Sequence, residues 1–533
     1  MMFDLRFIRK GCGVLLLVAA SVALWYMILW RGSLPLAEAQ SEGEWSEPIL
    51  ISTNPPHSWF PDIAVDGDGR IHVVYDAADV PLGGDMVMPG VMYTVCEDGV
   101  WSAPNDLHVG TGLGNIFRPA VGVDWLGNVH MTHSAGGMWY YRARVDSAWS
   151  AAAWTPHILD NSATYMSDVA VDSHGAIHAA YEKWVLLDEP ITRTYDSEVG
   201  GITDLFVTGL TNIFYRRSSD GGRTWSAPLN LSQNKEVGSF RVQIKVDRND
   251  VLHVTWDEGW DRLSAYGEPR ESVYIRSTDG GQSWSEPAVF SQPENTNAQI
   301  ASGSDGRGGV MVVWRATSID NLFYAWSTDG GQTWPPPDRI PGLYARTYRD
   351  TDFDAYDMAT DSADRIHLVA VGRLRLPANR TEPVPLGVYH LVWDGVSWSA
   401  PDLIAVYTED EGFPEYPKIV VSEGNKLHVV WFVRDERYRA GEYLHVLYSS
   451  GLSAAPHHTP VPVPAPTSTP FPTPTPLPPP TSTPFPTVVP GTSQPPRGLY
   501  TENDEVGQLA LALSPVILVV MIIAAVRLLK SHV

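Results

Sequence analysis

Ser218-Ser219-Asp220-Gly221-Gly222-Arg223-Thr224-Trp225 recurs as Ser277-Thr278-Asp279-Gly280-Gly281-Gln282-Ser283-Trp284 and as Ser327-Thr328-Asp329-Gly330-Gly331-Gln332-Thr333-Trp334. Each octapeptide reads as a tight turn between two strands. The Asp carboxylate accepts backbone N–H groups of its own turn, glycine supplies positive φ, and the Trp covers the hairpin end. Shorter versions end at Trp101, Trp149 and Trp398, and Trp45-Ser46-Glu47-Pro48 stands alone near the N-terminus.

Outward from each turn lies a longer unit. An apolar strand ends in Val-Asp, a Gly-containing turn follows, and a second strand opens with an apolar residue and His. Ile63–Asp66 leads to Ile71-His72, Val121–Asp124 to His130, Val169–Asp172 to His178 and Ile244–Asp247 to His253. Later copies run from Asp361 to His367 and from Val421 to His428, and Asp305 to Trp314 is a degenerate one. Repeats of this length with four short strands each imply a β-propeller. The count predicts seven blades, closed by residues 45–52 pairing with an incomplete last repeat that ends near Ser450. A six-bladed ring is the alternative.

The composition agrees. The 533 residues carry 20 Trp, 22 Tyr, 45 Gly and 43 Pro, a profile of many strands and tight turns. The formal charge of −24 argues against nucleic acid as a partner. Cys12 lies in the N-terminal apolar segment and Cys96 has no intrachain partner, so no disulfide is expected.

The ends read as targeting and anchoring. Arg6, Arg9 and Lys10 precede an apolar run, and Ala37-Glu38-Ala39 gives a cleavage pattern, so residues 1–39 are expected to be a signal peptide. An uncleaved anchor is the alternative. The propeller is placed at 40–455, a Pro/Thr-rich stalk at 456–498, a juxtamembrane segment at 499–508, a transmembrane helix at 509–526 and a cytoplasmic tail at 527–533, with Arg527 and Lys530 fixing orientation. The expectation is a single-pass cell-membrane protein with an extracellular propeller, its membrane contact made by the C-terminal helix.

At its three full turns the chain resembles the BNR/Asp-box superfamily, best known from sialidases, over about residues 44–451. The resemblance implies a propeller. For a sialidase it further implies three arginines on a substrate carboxylate, a Tyr nucleophile paired with Glu, and an acid/base Asp. Of the family's Phe-Arg-Ile-Pro motif only Phe117-Arg118-Pro119 is echoed, in the second repeat. The box residues Ser218, Asp220, Gly222, Trp225, Ser277, Asp279, Gly281, Trp284, Ser327, Asp329, Gly331 and Trp334 are read as structural.

A residue type repeated in every blade serves the blade, and a functional residue breaks the pattern. The His column (His72, His130, His178, His253, His367, His428) is therefore structural, and no metal or other cofactor is called for. Insertions at about 77–90, 183–211, 258–271, 373–386 and 433–442 share the face opposite the boxes, which makes it the candidate binding face. Non-repeating residues there are Asp76, His133, Glu182, Asp257, Glu258 and Arg315 at strand ends. Asp62, Arg118, Asp168, Arg241, Asp352, Asp354 and Tyr416 stand at strand entries, and Arg346, Tyr348 and Arg349 lie in a connection. Arg118, Arg241, Arg315, Arg349, Glu258, Asp257 and Tyr416 are the catalytic candidates if the chain is an enzyme. Asp76, Glu182 and Tyr348 are the binding candidates. Recognition of a glycan or extracellular polymer is the leading reading. A sialidase-type glycoside hydrolase and a protein-binding assembly propeller are the alternatives.

Overall fold

The computed structural model describes residues 45–458 apart from 54–56, 84–85, 111–117, 198–200, 260–268, 292–296, 318, 348–354, 376–383, 409–411 and 435–443. These residues form six antiparallel sheets, numbered here in chain order. Sheet 1 contains Ser58–Val65, Ile71–Gly83, Met86–Glu97, Val100–Trp101 and Asn105–Val109. Sheet 2 contains Ala120–Val123, Asn128–Ser134, Met138–Arg144 and Thr155–Asp160. Sheet 3 contains Thr164–Val171, Ile177–Ser197, Gly201–Ser218 and Leu229–Asn230, and sheet 4 Gly238–Val246, Leu252–Gly259, Pro269–Ser277 and Ala288–Phe290. Sheet 5 has eight strands between Asn297 and Tyr407. Sheet 6 joins Phe413–Ser422, Lys426–Arg434 and Leu444–Leu452 to the N-terminal Ile49–Leu50.

Each sheet is covered on both faces by its neighbours, so its second strand is buried on both sides instead of alternating. Ile71, Val73, Val74 and Tyr75 are all buried, as are Val310 through Ala316. The buried clusters bridge neighbours; Val74, Val91 and Tyr93 of sheet 1, for example, meet Val121, Met131 and Tyr141 of sheet 2. The first strand of each repeat packs on the first strand of the next, and Ser58–Val65 returns against Phe413–Ser422. The ring is closed where the sequence places its closure. Ile49 pairs with Tyr448, Leu50 with Leu447, and Ser46 N–H donates to Ser450 O at 2.7 Å.

The expectation of seven separate blades is corrected, and so is its six-bladed alternative: five sheets are blade-like, with four or five strands, and the remaining one, sheet 5, is a continuous eight-stranded sheet. The cause lies at Gly342, with φ +73°, after which Leu343 and Tyr344 pair with Leu374 and Arg373 instead of ending their hairpin. Arg375 N–H donates to Gly342 O at 2.8 Å, and its guanidinium stacks 4.3 Å from the Tyr344 ring centre. The sheet folds over, and one core cluster fills the space between its halves, with Leu322 and Ile340 from one and Leu368 and Leu391 from the other. The membrane assignment is corrected too. No helix among the described residues is long and apolar enough to cross a membrane, so the structure gives no support to a single-pass location. The expected signal at 1–39, nearly all of the stalk and the segment 509–526 lie outside the described residues.

The repeated residues form an interlock. His72 bonds the Tyr93 hydroxyl at 2.7 Å and faces Asp66 at 3.3 Å. His130 does the same with Tyr140 and Asp124, and His178 with Tyr215 and Asp172. The tyrosine then meets the Trp of the following repeat edge-on: Tyr140 with Trp225 at 4.9 Å, Tyr215 with Trp284 at 5.0 Å, Tyr274 with Trp334 at 5.1 Å. Such contacts contribute roughly 0.5–1.5 kcal/mol each beyond area burial. In sheet 2 this place belongs to Trp154, buried and 5.2 Å from Tyr93, and not to Trp149, which is 64% exposed. Within each box the Asp holds its own turn. Asp279 accepts from the Gln282 and Ser283 N–H groups at 2.9 Å, and the Ser283 hydroxyl bond, first among several, holds its carboxyl at about 2.

Candidate binding site

Asp62, Asp168, Gln243, Asp357 and Lys418 each precede the apolar stretch of a first strand, and all are buried. Side chains from non-neighbouring strands meet across the ring: Lys245 Nζ lies 2.7 Å from Asp357 Oδ1, and Gln243 Nε2 donates to Tyr356 O at 3.2 Å. These side chains therefore fill the axis. The carboxylates also brace successive first strands, whose inner N–H groups have no ladder partner. Asp62 accepts Val121 N–H at 2.7 Å, Asp168 accepts Ile244 N–H at 2.9 Å and Asp357 accepts Ile419 N–H at 3.0 Å. Lys418 Nζ sits 3.8 Å from Asp62 Oδ1 and 5.3 Å from the Tyr416 ring centre. Burial pushes the Asp62 carboxyl up to about 6 against the pull of Lys418. Burial alone would lower the Lys418 ammonium, but Tyr416, Asp62, Asp168 and Asp357 raise it well above its ordinary value.

These shifts make stability depend on pH with opposite signs at different groups. Burial would raise Asp66 and Asp361, yet hydrogen bonds led by those to His72 and His367 hold both at about 2. Their stabilisation is full above the unfolded carboxyl value of about 3.9 and is lost as pH falls toward 2. Asp62 has the opposite sign: its raised value favours the fold as pH falls from about 6 toward 4. Burial holds His133, His390 and His428 below the ordinary imidazole value, so their stabilisation is lost as pH falls below about 6.5. The Asp62 contribution therefore shows as a difference: the melting temperature of the parent minus that of Asp62→Asn should rise as pH falls from about 7 to about 5, and a pH-independent difference by calorimetry would contradict the axial assignment.

A collar lies one step nearer the candidate face. Phe60, Arg118, Arg241, Gln299 and Tyr416 have φ of 49°, 42°, 59°, 61° and 54°. Where both strands are paired, these residues sit at register shifts, as between Phe60 and Trp59–Asp62, Arg241 and Phe240–Gln243, and Tyr416 and Glu415–Lys418. Left-handed non-Gly residues cost about 1–3 kcal/mol each and persist only where their surroundings fix them. The fixing groups are carboxylates of the preceding repeat. Asp76 accepts Arg118 N–H at 2.9 Å, Glu182 accepts Arg241 N–H at 2.6 Å and Asp257 accepts Gln299 N–H at 2.6 Å. Beside these turns Tyr416 meets Phe60 edge-on at 5.4 Å, and the Arg118 guanidinium lies 4.6 Å from the Phe60 ring centre. Burial lowers the Arg118 pKa, Glu182, Tyr416 and Asp76 oppose that, and Arg241 adds to it, so the two guanidiniums share one electrostatic environment.

The structure thus brings together Arg118, Arg241, Tyr416, Asp76, Glu182 and Asp257. Arg315 donates to Arg346 O at 2.5 Å and faces Asp320 at 3.3 Å. Arg346 and Arg434 hold Glu415 at 3.1 and 2.9 Å. Glu258 accepts from Trp256 Nε1 at 2.8 Å, and burial raises its carboxyl. Arg349, Tyr348, Asp352 and Asp354 lie outside the described residues. Sequence reasoning passed over Lys418, Lys245 and Asp357. The signal was present, because Asp62, Asp168, Gln243, Asp357 and Lys418 occupy one repeat position with unlike residues.

Against this geometry stand the known proteins. Residues 207–429 match the family model of the BNR repeat-like domain. No curated protein matches the chain. Among solved structures it is similar to a protein of unknown function from Dyadobacter fermentans, at 15% identity and TM-score 0.47, covering 78% of this chain and 100% of that one. It is similar to the NanB sialidase from Streptococcus pneumoniae at 14% identity and TM-score 0.41, covering 75% and 68%. An ulvan lyase of polysaccharide lyase family PL25 is similar at 13% identity and TM-score 0.48, covering 76% and 93%. The BNR repeat-like match spans residues 207–429, and the likeness to these solved structures decides nothing about function.

Proposed function

We propose that this propeller is a recognition module for an acidic glycan or polymer, bound at the collar on the face opposite the boxes. The pairing of Arg118 with Arg241 on equivalent left-handed turns carries this reading. Two guanidiniums fixed through their own backbones are preorganised for a carboxylate or sulfate. The half-buried Tyr416 ring, backed by the buried Phe60, offers apolar surface beside them for a sugar face. Binding fits better than sialidase chemistry. Arg315 is engaged by Arg346 O and Asp320, Glu415 is held by Arg346 and Arg434, and burial raises the Tyr416 phenol, which disfavours it as a nucleophile.

Calorimetric titration with uronate oligosaccharides tests the proposal. Arg118→Ala or Arg241→Ala should weaken binding about 10–100-fold, as expected for losing a charge-assisted hydrogen bond in a partly buried site. Neutral oligosaccharides should bind weakly to every form. Release of a fluorophore from a sialoside, abolished by Arg118→Ala, would replace this reading with the hydrolase.

A further inference from the structure

We infer a second binding site for an acidic sugar segment in the groove between sheets 2 and 3, on the box side and independent of the collar. Sheet 2 has no full box. Its chain detours through a short 3-10 turn at Ala151–Ala153 before Thr155–Asp160 pairs back, with Thr155 opposite Arg142 and His157 opposite Tyr140. Strand alternation therefore puts Tyr140, Arg142, Arg144, Thr155 and His157 on one face. That face looks onto Gly221, Gly222 and Arg223 of the sheet 3 box, across a cavity of about 550 Å³.

The charges in this groove are not the repeat's own. Arg142 is: it donates to Gly221 O at 3.1 Å, just as Arg217 donates to Gly280 O at 2.7 Å one sheet on, so it braces the fold. Arg144 stands where the two following repeats have Ser219 and Thr278. His157 stands where they have Leu229 and Ala288, and Arg223 where the other boxes have Gln282 and Gln332. Two arginines and a histidine, from two sheets, depart from the pattern here, on a chain of net charge −24. Two carboxylates stand near the three arginines Arg142, Arg144 and Arg223. Asp220 is engaged by its own turn, through the Arg223 and Thr224 N–H groups and the Ser218 and Thr224 hydroxyls, and exposed Asp146 lies 3.9 Å from Arg144 Nε.

Exposed tryptophans flank the lining residues along the chain. Trp149, in the detour, is 64% exposed and Trp125 is 47% exposed. Arg144 NH1 donates to Leu126 O at 3.0 Å, which ties the Trp125 turn to the groove. Tryptophan faces beside arginines suit a sugar ring bearing a carboxylate or sulfate ester, the ring stacking and the oxyanion pairing.

The test uses the full chain and three probes: oligogalacturonate, sulfated dextran oligomer and unsubstituted dextran of matched length. Arg144→Ser with Arg223→Gln installs residues that other repeats carry, so folding is retained. Arg118→Ala with Arg241→Ala isolates the groove from the collar. In that collar variant, one of the anionic probes should still bind and change tryptophan fluorescence. Adding R144S/R223Q should weaken that binding at least about tenfold, and Trp149→Ala should remove most of the fluorescence change. The anionic probe that responds distinguishes carboxylate from sulfate. Equal binding with and without R144S/R223Q, or equal binding of unsubstituted dextran, overturns the inference. Loss of all binding in the collar variant also overturns it, while leaving the collar reading intact; unchanged binding there with loss in R144S/R223Q does the reverse.

Discussion

Gly281→Ala should destabilise the fold by about 2–5 kcal/mol, the sum of roughly 1–2 for a left-handed residue that gains a Cβ and 1–3 for overpacking. Gly281 has φ +81°, and a Cβ there would overlap the Tyr215 hydroxyl of the preceding sheet. Tyr215 cannot yield cheaply. Its hydroxyl bonds His178 Nδ1 at 2.7 Å, His178 Nε2 faces Asp172 at 3.3 Å, and Trp284 packs edge-on against the ring at 5.0 Å. Moving the ring breaks a chain running through two sheets. Gly280→Ala is the control. It has φ +67° but meets only the Arg217 NH1 group at 3.6 Å, so it should cost only the backbone strain, about 1–2 kcal/mol. Urea unfolding of both variants measures the difference, and equal losses would mean that the tyrosine contact is not what the glycine serves.

That interlock also shows how far the sequence could be read. The box, the His column and the closing strand are local or periodic, and periodicity survives without knowledge of the neighbours. Trp149 was mistaken for the covering tryptophan because its distance from the preceding strand matched the other repeats. The 3-10 turn that hands the role to Trp154 leaves no such mark. The eight-stranded sheet was invisible for a related reason: whether Leu343 and Tyr344 end a hairpin or pair onward is decided by Gly342 and by Arg373–Arg375, some thirty residues later. At the site, the pattern-breaking filter picked Arg118, Arg241 and Tyr416, which do meet. It also picked Asp76, Glu182 and Asp257, whose carboxylates support the backbone turns of the next repeat. A carboxylate at a strand end looks the same in sequence whether it faces a ligand or a backbone N–H.

Contacts across the axis are the furthest from sequence, since Lys418 meets Asp62 only because the ring closes, and they carry the last expectation. Lys418→Met should destabilise by about 3–5 kcal/mol, the range for removing one partner of a buried ionic group. Methionine matches the length of the apolar stem, so the lost term is charge and not volume. Asp62, Asp168 and Asp357 would remain in the same buried space with Lys245, which is already committed to Asp357 at 2.7 Å. The loss should depend on pH with a definite sign. Without the ammonium the Asp62 carboxyl, already pushed up to about 6 by burial, rises further and protonates in the folded state at higher pH. The variant should therefore recover stability as pH falls from 8 to 5, more steeply than the parent. Asp62→Asn added to Lys418→Met should restore part of the loss at pH 8, because the amide oxygen still accepts Val121 N–H, a bond of 2.7 Å in the parent, without leaving an unpaired charge. Denaturant unfolding of the parent, the single and the double variant at pH 5 and 8 decides it. A double variant no more stable than the single at pH 8 would show that Lys418 holds the axis by packing and not by neutralising the carboxylates around it.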